Sequence, residues 1–199
     1  YLFNKKDLCV SGGLFANVKL NQKLYDIPNL NNLFVMPNMG DGGLTYGAAL
    51  YVANNYKYES NKCCFNNAYL GPSYKDSEII SSLLKAKLSY KKYNNYPLII
   101  AKYLYEGMII GRFTGKLEWG PRALGNRSIL ASATNKNINS VLNGRLGRTE
   151  FMPFAPIVID EDADKIFLNY SHQMKISEYM TVTYNVRDEW HAKIPAVVH

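Results

Sequence analysis

The sequence predicts a mixed α/β protein, on two observations. Twice near the start, a short apolar run meets a glycine pair before a helical pattern: residues 8–11 with Gly12-Gly13, and residues 33–36 with Gly42-Gly43. Strand, glycine pair, helix is α/β punctuation, and glycines where a strand meets a helix leave outward-pointing N–H groups for a ligand. Further along, helix-spaced apolar stretches alternate with short β-type runs, with no internal repeat.

Taken in order, residues 8–11 read as a strand, followed by a helical pattern through Leu20 and Leu24. Residues 33–36 read as a buried strand closed by Pro37, and Gly42-Gly43 opens a helix over 44–54. Residues 56–67 carry no periodicity and read as a linker. Ile79, Ile80, Leu83, Leu84 and Leu88 then fall at helical spacing over 76–88, with Asp76 or Ser77 as the N-cap. A helix over 98–105 follows, then a strand at 108–110 leading into Gly111-Arg112, and another at 128–131. The pattern continues with a helix at 139–146, a strand at 157–159, and a helix near 163–168. Asp160, Glu161 and Asp162 open that helix, where acidic side chains favour the dipole. Residues 180–186 alternate as a last strand. A mixed α/β domain thus begins near residue 66.

A chain of 199 residues can hold one or two domains with a core that folds without staples. Its 47% hydrophobic content excludes general disorder, and it contains no run of about 18 apolar residues that would span a membrane. Three cysteines, two of them adjacent (Cys63 and Cys64), make a poor disulfide framework and point to a reducing, cytoplasmic setting. Cys9 reads as a small buried apolar residue. The net charge of +7 raises nucleic acid as a partner. However, Lys85, Lys87, Lys91 and Lys92 lie in surface text, and no basic stripe or nucleic-acid motif accompanies them, which argues against it. The start, Tyr1-Leu2-Phe3-Asn4-Lys5-Lys6, lacks both an initiating methionine and a signal-peptide apolar region. It reads as a strand entered partway, so a piece of a longer protein is expected.

The arginines concentrate in two glycine-bearing segments. The first is Gly115-Lys116-Leu117-Glu118-Trp119-Gly120-Pro121-Arg122-Ala123-Leu124-Gly125-Asn126-Arg127-Ser128-Ile129. The second is Arg145-Leu146-Gly147-Arg148, followed by Phe151-Met152-Pro153-Phe154-Ala155-Pro156. Arginine offers a planar fork of donors matched to phosphate or carboxylate, and glycine lets the backbone approach a ligand. Two such segments suggest a site for more than one anionic group. Arg122, Arg127, Arg145 and Arg148 are the candidates, with Lys116 as a point charge and the N–H groups of Gly120 and Gly125 completing the cradle. Arg127 has an alternative role, bracing the loop through carbonyls. Glu118 either orients a substrate or pairs with Arg122 or Arg127. Asn126 and Asn143 are weaker candidates. Phe151 and Phe154 read as core rather than as stacking platforms.

The run from Gly115 to Ile129, with residues 150–156, resembles the signature of the C-terminal domain of the O-carbamoyltransferase family, whose members modify nodulation factors, cephalosporins and aminoglycosides. Cys9-Val10-Ser11-Gly12-Gly13-Leu14-Phe15-Ala16-Asn17 and Gly40-Asp41-Gly42-Gly43 resemble motifs that close the family's N-terminal domain. Tyr69-Leu70-Gly71-Pro72 resembles its inter-domain segment, and residues 194–199 resemble a late motif. The resemblance implies the end of an actin/Hsp70-like (Kae1-like) domain over 1–58 and a YrdC-like domain over 66–199. It further implies that carbamoyl phosphate and ATP give carbamoyl adenylate, from which the carbamoyl group passes to a hydroxyl of a small-molecule acceptor. Gly12, Gly13 and Asn17 would face the nucleotide. Asp41 would ligate a divalent metal, iron by family precedent, with magnesium as the alternative. The family's partner histidines form a His-x3-His helix expected upstream, and His172, His191 and His199 lack that spacing. The fragment is therefore expected to hold metal poorly and to be inactive alone, needing the missing N-terminal part. Ser132-Ala133-Thr134 stands where many members carry Asp-Pro-Arg, and Gly147 and Met152 replace residues often basic, reducing the charge at the anion site. Two other readings stand beside this one: a nucleotide- or phosphate-binding module without turnover, and a relative acting in tRNA modification.

Overall fold

A computed structural model describes residues 5–56, 65–149 and 153–198. In chain order its strands are β1 (Asp7–Val10), β2 (Asn32–Val35), β3 (Ile110–Phe113) and β4 (Arg127–Leu130). The helices are α1 (Val18–Tyr25), α2 (Leu44–Asn55), α3 (Asp76–Lys85), α4 (Tyr96–Tyr105), α5 (Ile138–Arg145), α6 (Asp160–Ile166) and α7 (Asp188–His191). The expected mixed α/β class is what the chain adopts. No helix among the described residues is long and apolar enough to cross a membrane. Two compact units are each assembled from separate stretches: unit 1 from 1–70, 118–124 and 158–186, and unit 2 from 71–117, 125–157 and 187–199.

Unit 1 is built on a parallel pair, β1 against β2, with Leu8 opposite Leu33 and Val10 opposite Val35. Parallel neighbours need a crossover, and α1 supplies it. Leu33 and Val35 share a face and are buried with Ile176 and Val182, surrounded by Leu8, Val10, Phe15, Leu24 and Tyr184. Burying each such side chain contributes about 1.5–3 kcal/mol. A polar seam fixes α1 to this core. The Nδ2 of fully buried Asn21 donates to the carbonyls of Phe15 (2.8 Å) and Thr181 (2.7 Å), and Thr183 Oγ1 donates to Gln22 Oε1 at 2.9 Å.

In unit 2, β3 and β4 pair antiparallel, Ile110 opposite Leu130 and Phe113 opposite Arg127. Ile138 and Leu142 of α5 bury against Ala196, with Ile109, Ala131 and Phe154 packed around them. Asn139 Nδ2 ties α5 to the Ala196 carbonyl at 2.7 Å. Helices α3 and α4 contain no fully buried residue.

Several sequence expectations need correction. Residues 157–159 form no strand, because the β-branched run meets no partner edge. Ile157 and Ile159 stay 74% and 69% exposed, and Ile159 instead caps α6. Residues 180–186 turn Val182 and Tyr184 to the core, but adjacent Thr181 is fully buried too, which breaks the alternation, and among the described residues they make one bridge, Val186 to Phe167. Met180, in a left-handed conformation (φ 53°) after the 3-10 turn Lys175–Tyr179, turns the chain there. Strand β3 lies two residues later than expected, since the Met108 N–H bonds the Tyr103 carbonyl and closes α4. The N-cap of α3 is Lys75, whose N–H donates to Glu78 Oε2 at 2.7 Å, rather than Asp76 or Ser77. That helix stops at Lys85 because Lys87 turns left-handed (φ 54°). Cys9 is exposed, since the period of two that turns Leu8 and Val10 inward turns Cys9 out. Tyr1–Asn4, Cys63, Cys64, Glu150, Phe151, Met152 and His199 lie outside the described residues.

At the start of α6, Tyr170 Oη and His172 Nδ1 both approach Asp160 Oδ1, at 2.7 and 3.2 Å. The bond from Tyr170, then that from His172, holds the Asp160 carboxyl below the usual carboxylate range. A depressed carboxyl adds stability above its unfolded pKa and loses it as pH falls through the folded value. The stability difference between wild type and Asp160→Asn, from urea midpoints, should therefore shrink as the pH falls through the carboxylate range, below about pH 4.

Candidate functional site

The signature segment is divided between the units: 118–124 packs in unit 1, while 115–117 and 125–129 belong to unit 2. The division sorts the candidate residues into two groups.

In unit 1 three turns come together. The Gly12 N–H donates to the Met39 carbonyl at 2.7 Å, joining the Gly12-Gly13 turn to the 37–43 turn that carries Asp41. Gly120, at φ 120°, lies so close to that second turn that an added Cβ would sit 3.2 Å from the Pro37 carbonyl oxygen. Only glycine combines that dihedral with that approach. Arg122 Nη2 donates to the Ala16 carbonyl at 2.9 Å, at the end of the turn that Gly12-Gly13 begins. The loop is also fastened from behind. The Trp119 N–H bonds the Ala68 carbonyl at 2.6 Å, and the Trp119 ring packs 5.9 Å from both Tyr46 and Phe65. Tyr69 Oη donates to the Leu124 carbonyl at 2.8 Å.

Several expected roles change at this level. Buried Glu118 accepts from the Leu124 N–H at 2.9 Å, so its carboxylate closes the loop on itself. Asn17 does not present its carbonyl oxygen to a ligand: Oδ1 caps α1, accepting from the N–H groups of Lys19 (3.1 Å) and Leu20 (3.0 Å). Asn17→Ala should cost about 1 kcal/mol in a denaturant titration, whereas Asn17→Asp should keep most of that stability. Asp41 is exposed and opens the short 3-10 turn Asp41–Gly43 before α2. Among the described residues, no three His, Cys, Asp or Glu side chains gather to hold a metal. One exposed carboxylate does not by itself make a metal site.

In unit 2 the flanks of the segment form a braced loop. The Thr114 N–H bonds the Asn126 carbonyl at 3.0 Å, and Asn126 Nδ2 donates to the Lys116 carbonyl at 2.7 Å. The Gly125 N–H, expected in an anion cradle, is held by Ser128 Oγ at 2.9 Å. Arg127 donates to the carbonyls of Thr114, Asn126, Gly115 and Pro72, and its guanidinium lies 3.6 Å from the Phe113 ring centroid. This is the bracing arrangement. The Lys116 side chain is exposed. Arg145 is the last residue of α5, where its charge suits the carbonyl end of the helix, rather than part of a loop. Arg148 lies 5.2 Å over the ring of Phe154, which packs against the unit 2 core as expected. Arg122 is thus grouped with Gly12, Gly13, Asp41, Glu118 and Gly120, apart from Lys116, Arg127, Arg145 and Arg148.

Sequence reasoning missed the rings of Tyr46 and Phe65 around Trp119 and the Tyr69 bond to Leu124. The Tyr69-Leu70-Gly71-Pro72 motif was the available signal, but a hydroxyl's distant acceptor has no mark in local spacing.

Comparison with known proteins agrees in order along the chain. The family described as Carbamoyltransferase N-terminus matches residues 2–50, and Carbamoyltransferase C-terminus matches residues 101–199. An uncharacterized protein of Methanocaldococcus jannaschii is 31% identical over 205 residues, covering 99% of this chain and 33% of the relative. Nodulation protein NolNO of Sinorhizobium fredii is 32% identical over 201 residues, covering 98% and 29%. Nodulation protein U of Azorhizobium caulinodans is 33% identical over 196 residues, covering 98% and 32%. The chain spans about a third of the length of these relatives.

Proposed function

The chain belongs to the carbamoyltransferase family, and from that premise we propose that it serves carbamoyl transfer through an adenylate to a hydroxyl acceptor. Carbamoyl phosphate, water and ATP combine to carbamoyl adenylate, releasing inorganic phosphate and pyrophosphate. The acceptor hydroxyl then attacks the carbamoyl carbon, AMP leaves with the electron pair, and the hydroxyl proton passes to solvent. In this reading residues 1–58 close a Kae1-like domain and 66–199 form a YrdC-like domain. The setting is cytoplasmic, and the remaining N-terminal part of the family's architecture is a required partner. Asp41 would be one ligand of a divalent metal, iron or magnesium, whose other ligands would come from the remaining N-terminal part.

One observation above all supports this reading: the loop bearing Arg122 packs on the turns bearing Gly12-Gly13 and Asp41. Motifs remote in sequence thereby lie in one unit. Within unit 1 Arg122 acts as an anion ligand; within unit 2 Lys116 is an exposed point charge, and Arg145 and Arg148 are further cations. Arg127 is a positioning residue that holds the loop's shape through its carbonyls. Such sites work by placement and charge stabilisation more than by covalent chemistry.

The test supplies the complete protein with carbon-labelled carbamoyl phosphate, ATP and a panel of hydroxyl-bearing small molecules. Label should enter an acceptor only when ATP is present. Binding of ATP without label transfer or AMP release would replace this reading with a nucleotide-binding module. Label entering tRNA instead would move the protein to nucleic-acid modification.

A further inference from the structure

We propose that the α3 face of unit 2 is a docking surface for an acidic amphipathic helix of a partner protein. Neither family match covers residues 51–100, so most of this surface lies outside the matched segments. Ile79, Ile80, Leu83 and Leu84 give α3 an apolar stripe, yet the helix contains no fully buried residue. Ile79 and Leu83, one turn apart, line two hollows. The larger, about 370 Å³, is completed by Tyr74, Leu88 and Phe113, and the smaller, about 190 Å³, by Ile80 and Tyr90. The Tyr74 and Phe113 rings pack at 5.8 Å, and the Arg127 guanidinium holds Phe113 in place, so the wall of the larger hollow is preformed. Leu84 and Leu88 beside it remain 62% and 58% exposed. An i, i+4 pair flanked by hollows is the relief that receives the side-chain rows of a second helix. A lipid surface, by contrast, takes up side chains that protrude.

Charge selects the composition of that helix. Lys85, Lys87, Lys91 and Lys92 are exposed and form no ion pair among the described residues. Lys91 and Lys92 line the smaller hollow, where Asp76 is the one carboxylate. Glu78, in the larger hollow, already accepts from the Lys75 N–H. No further aspartate or glutamate occurs before Glu106. A basic rim around apolar hollows steers acidic segments in and repels basic ones. Apolar anchors at helical spacing would fill the hollows while flanking carboxylates meet the lysines. The surface is independent of the carbamoyl-transfer reading, and neither stands or falls with the other.

The test presents the complete protein with four probes. Three are fluorescent and followed by anisotropy: a synthetic helix with leucines on one face and glutamates elsewhere, its counterpart with lysine for every glutamate, and a single-stranded RNA. The fourth, phosphatidylglycerol vesicles, is followed by co-sedimentation. The acidic helix should bind, weaken as salt rises, and protect residues 76–92 from hydrogen exchange. The double change Lys91→Glu and Lys92→Glu should weaken it about tenfold, and Leu88→Ser should do likewise, both at exposed positions. Equal binding of the lysine counterpart would overturn the charge selection. No binding of the acidic helix, or protection confined to other residues, would overturn the docking surface. Binding of vesicles or RNA with a silent acidic helix would overturn it too, and would reassign the face to lipid or nucleic acid.

Discussion

Gly43→Ala is expected to destabilise unit 1 by about 3 kcal/mol, the upper range for overpacking a fitted site. The φ of Gly43, −78°, is ordinary, so the cost is steric rather than conformational. A Cβ there would overlap the backbone carbonyl oxygen of Asn38, which no rotamer change relieves. The 37–43 turn would have to shift, and it carries Asp41, receives the Gly12 N–H at Met39 and meets Gly120 at Pro37. The effect therefore spreads to every member of the unit 1 group. Urea midpoints, with hydrogen exchange at Gly12, measure it. An unchanged midpoint and an unchanged Gly12 exchange rate would mean the turn is loose and the site is not built on it.

Arg127→Ala should be the most damaging change in unit 2, at about 3 kcal/mol. It removes donors to four backbone carbonyls and a cation from the face of Phe113. Hydrogen bonds from a charged donor contribute about 1.5–3 kcal/mol each in favourable cases, and partial exposure of this side chain reduces the sum. A cation over an exposed ring adds about 0.5–1 kcal/mol. Arg127→Lys keeps the charge but loses the fork that spans Thr114, Gly115 and Pro72, so it should recover only a small part. The two roles weighed for this residue separate cleanly in this experiment. A brace loses stability and protection from hydrogen exchange over residues 113–130. A direct anion ligand would keep both and lose only binding.

Local pattern accounts for much of what was readable. Near the start, apolar runs, glycine pairs and helical spacing agree, and β1, α1, β2 and α2 lie where those signals put them. The apolar runs at 157–159 and 180–186 misled because strand propensity needs an edge to pair with, and only Val186 found one. The signature segment was legible as chemistry but not as architecture. Its division between units depends on Ala68, Ala16 and Pro37, distant in sequence from Trp119, Arg122 and Gly120. Arg127 and Asn17 show the same limit at residue scale. Both are polar types suited to ligands, and nearby backbone groups claim Arg127's donors and Asn17's carbonyl oxygen.

The central claim is that this chain serves formation of a carbamoyl adenylate, and isotope exchange tests it most directly. The complete protein is incubated with ATP and labelled pyrophosphate, with and without carbamoyl phosphate. Reversible adenylate formation predicts label entering ATP only when carbamoyl phosphate is present. A folded, ATP-binding protein that exchanges no label under either condition would contradict the account.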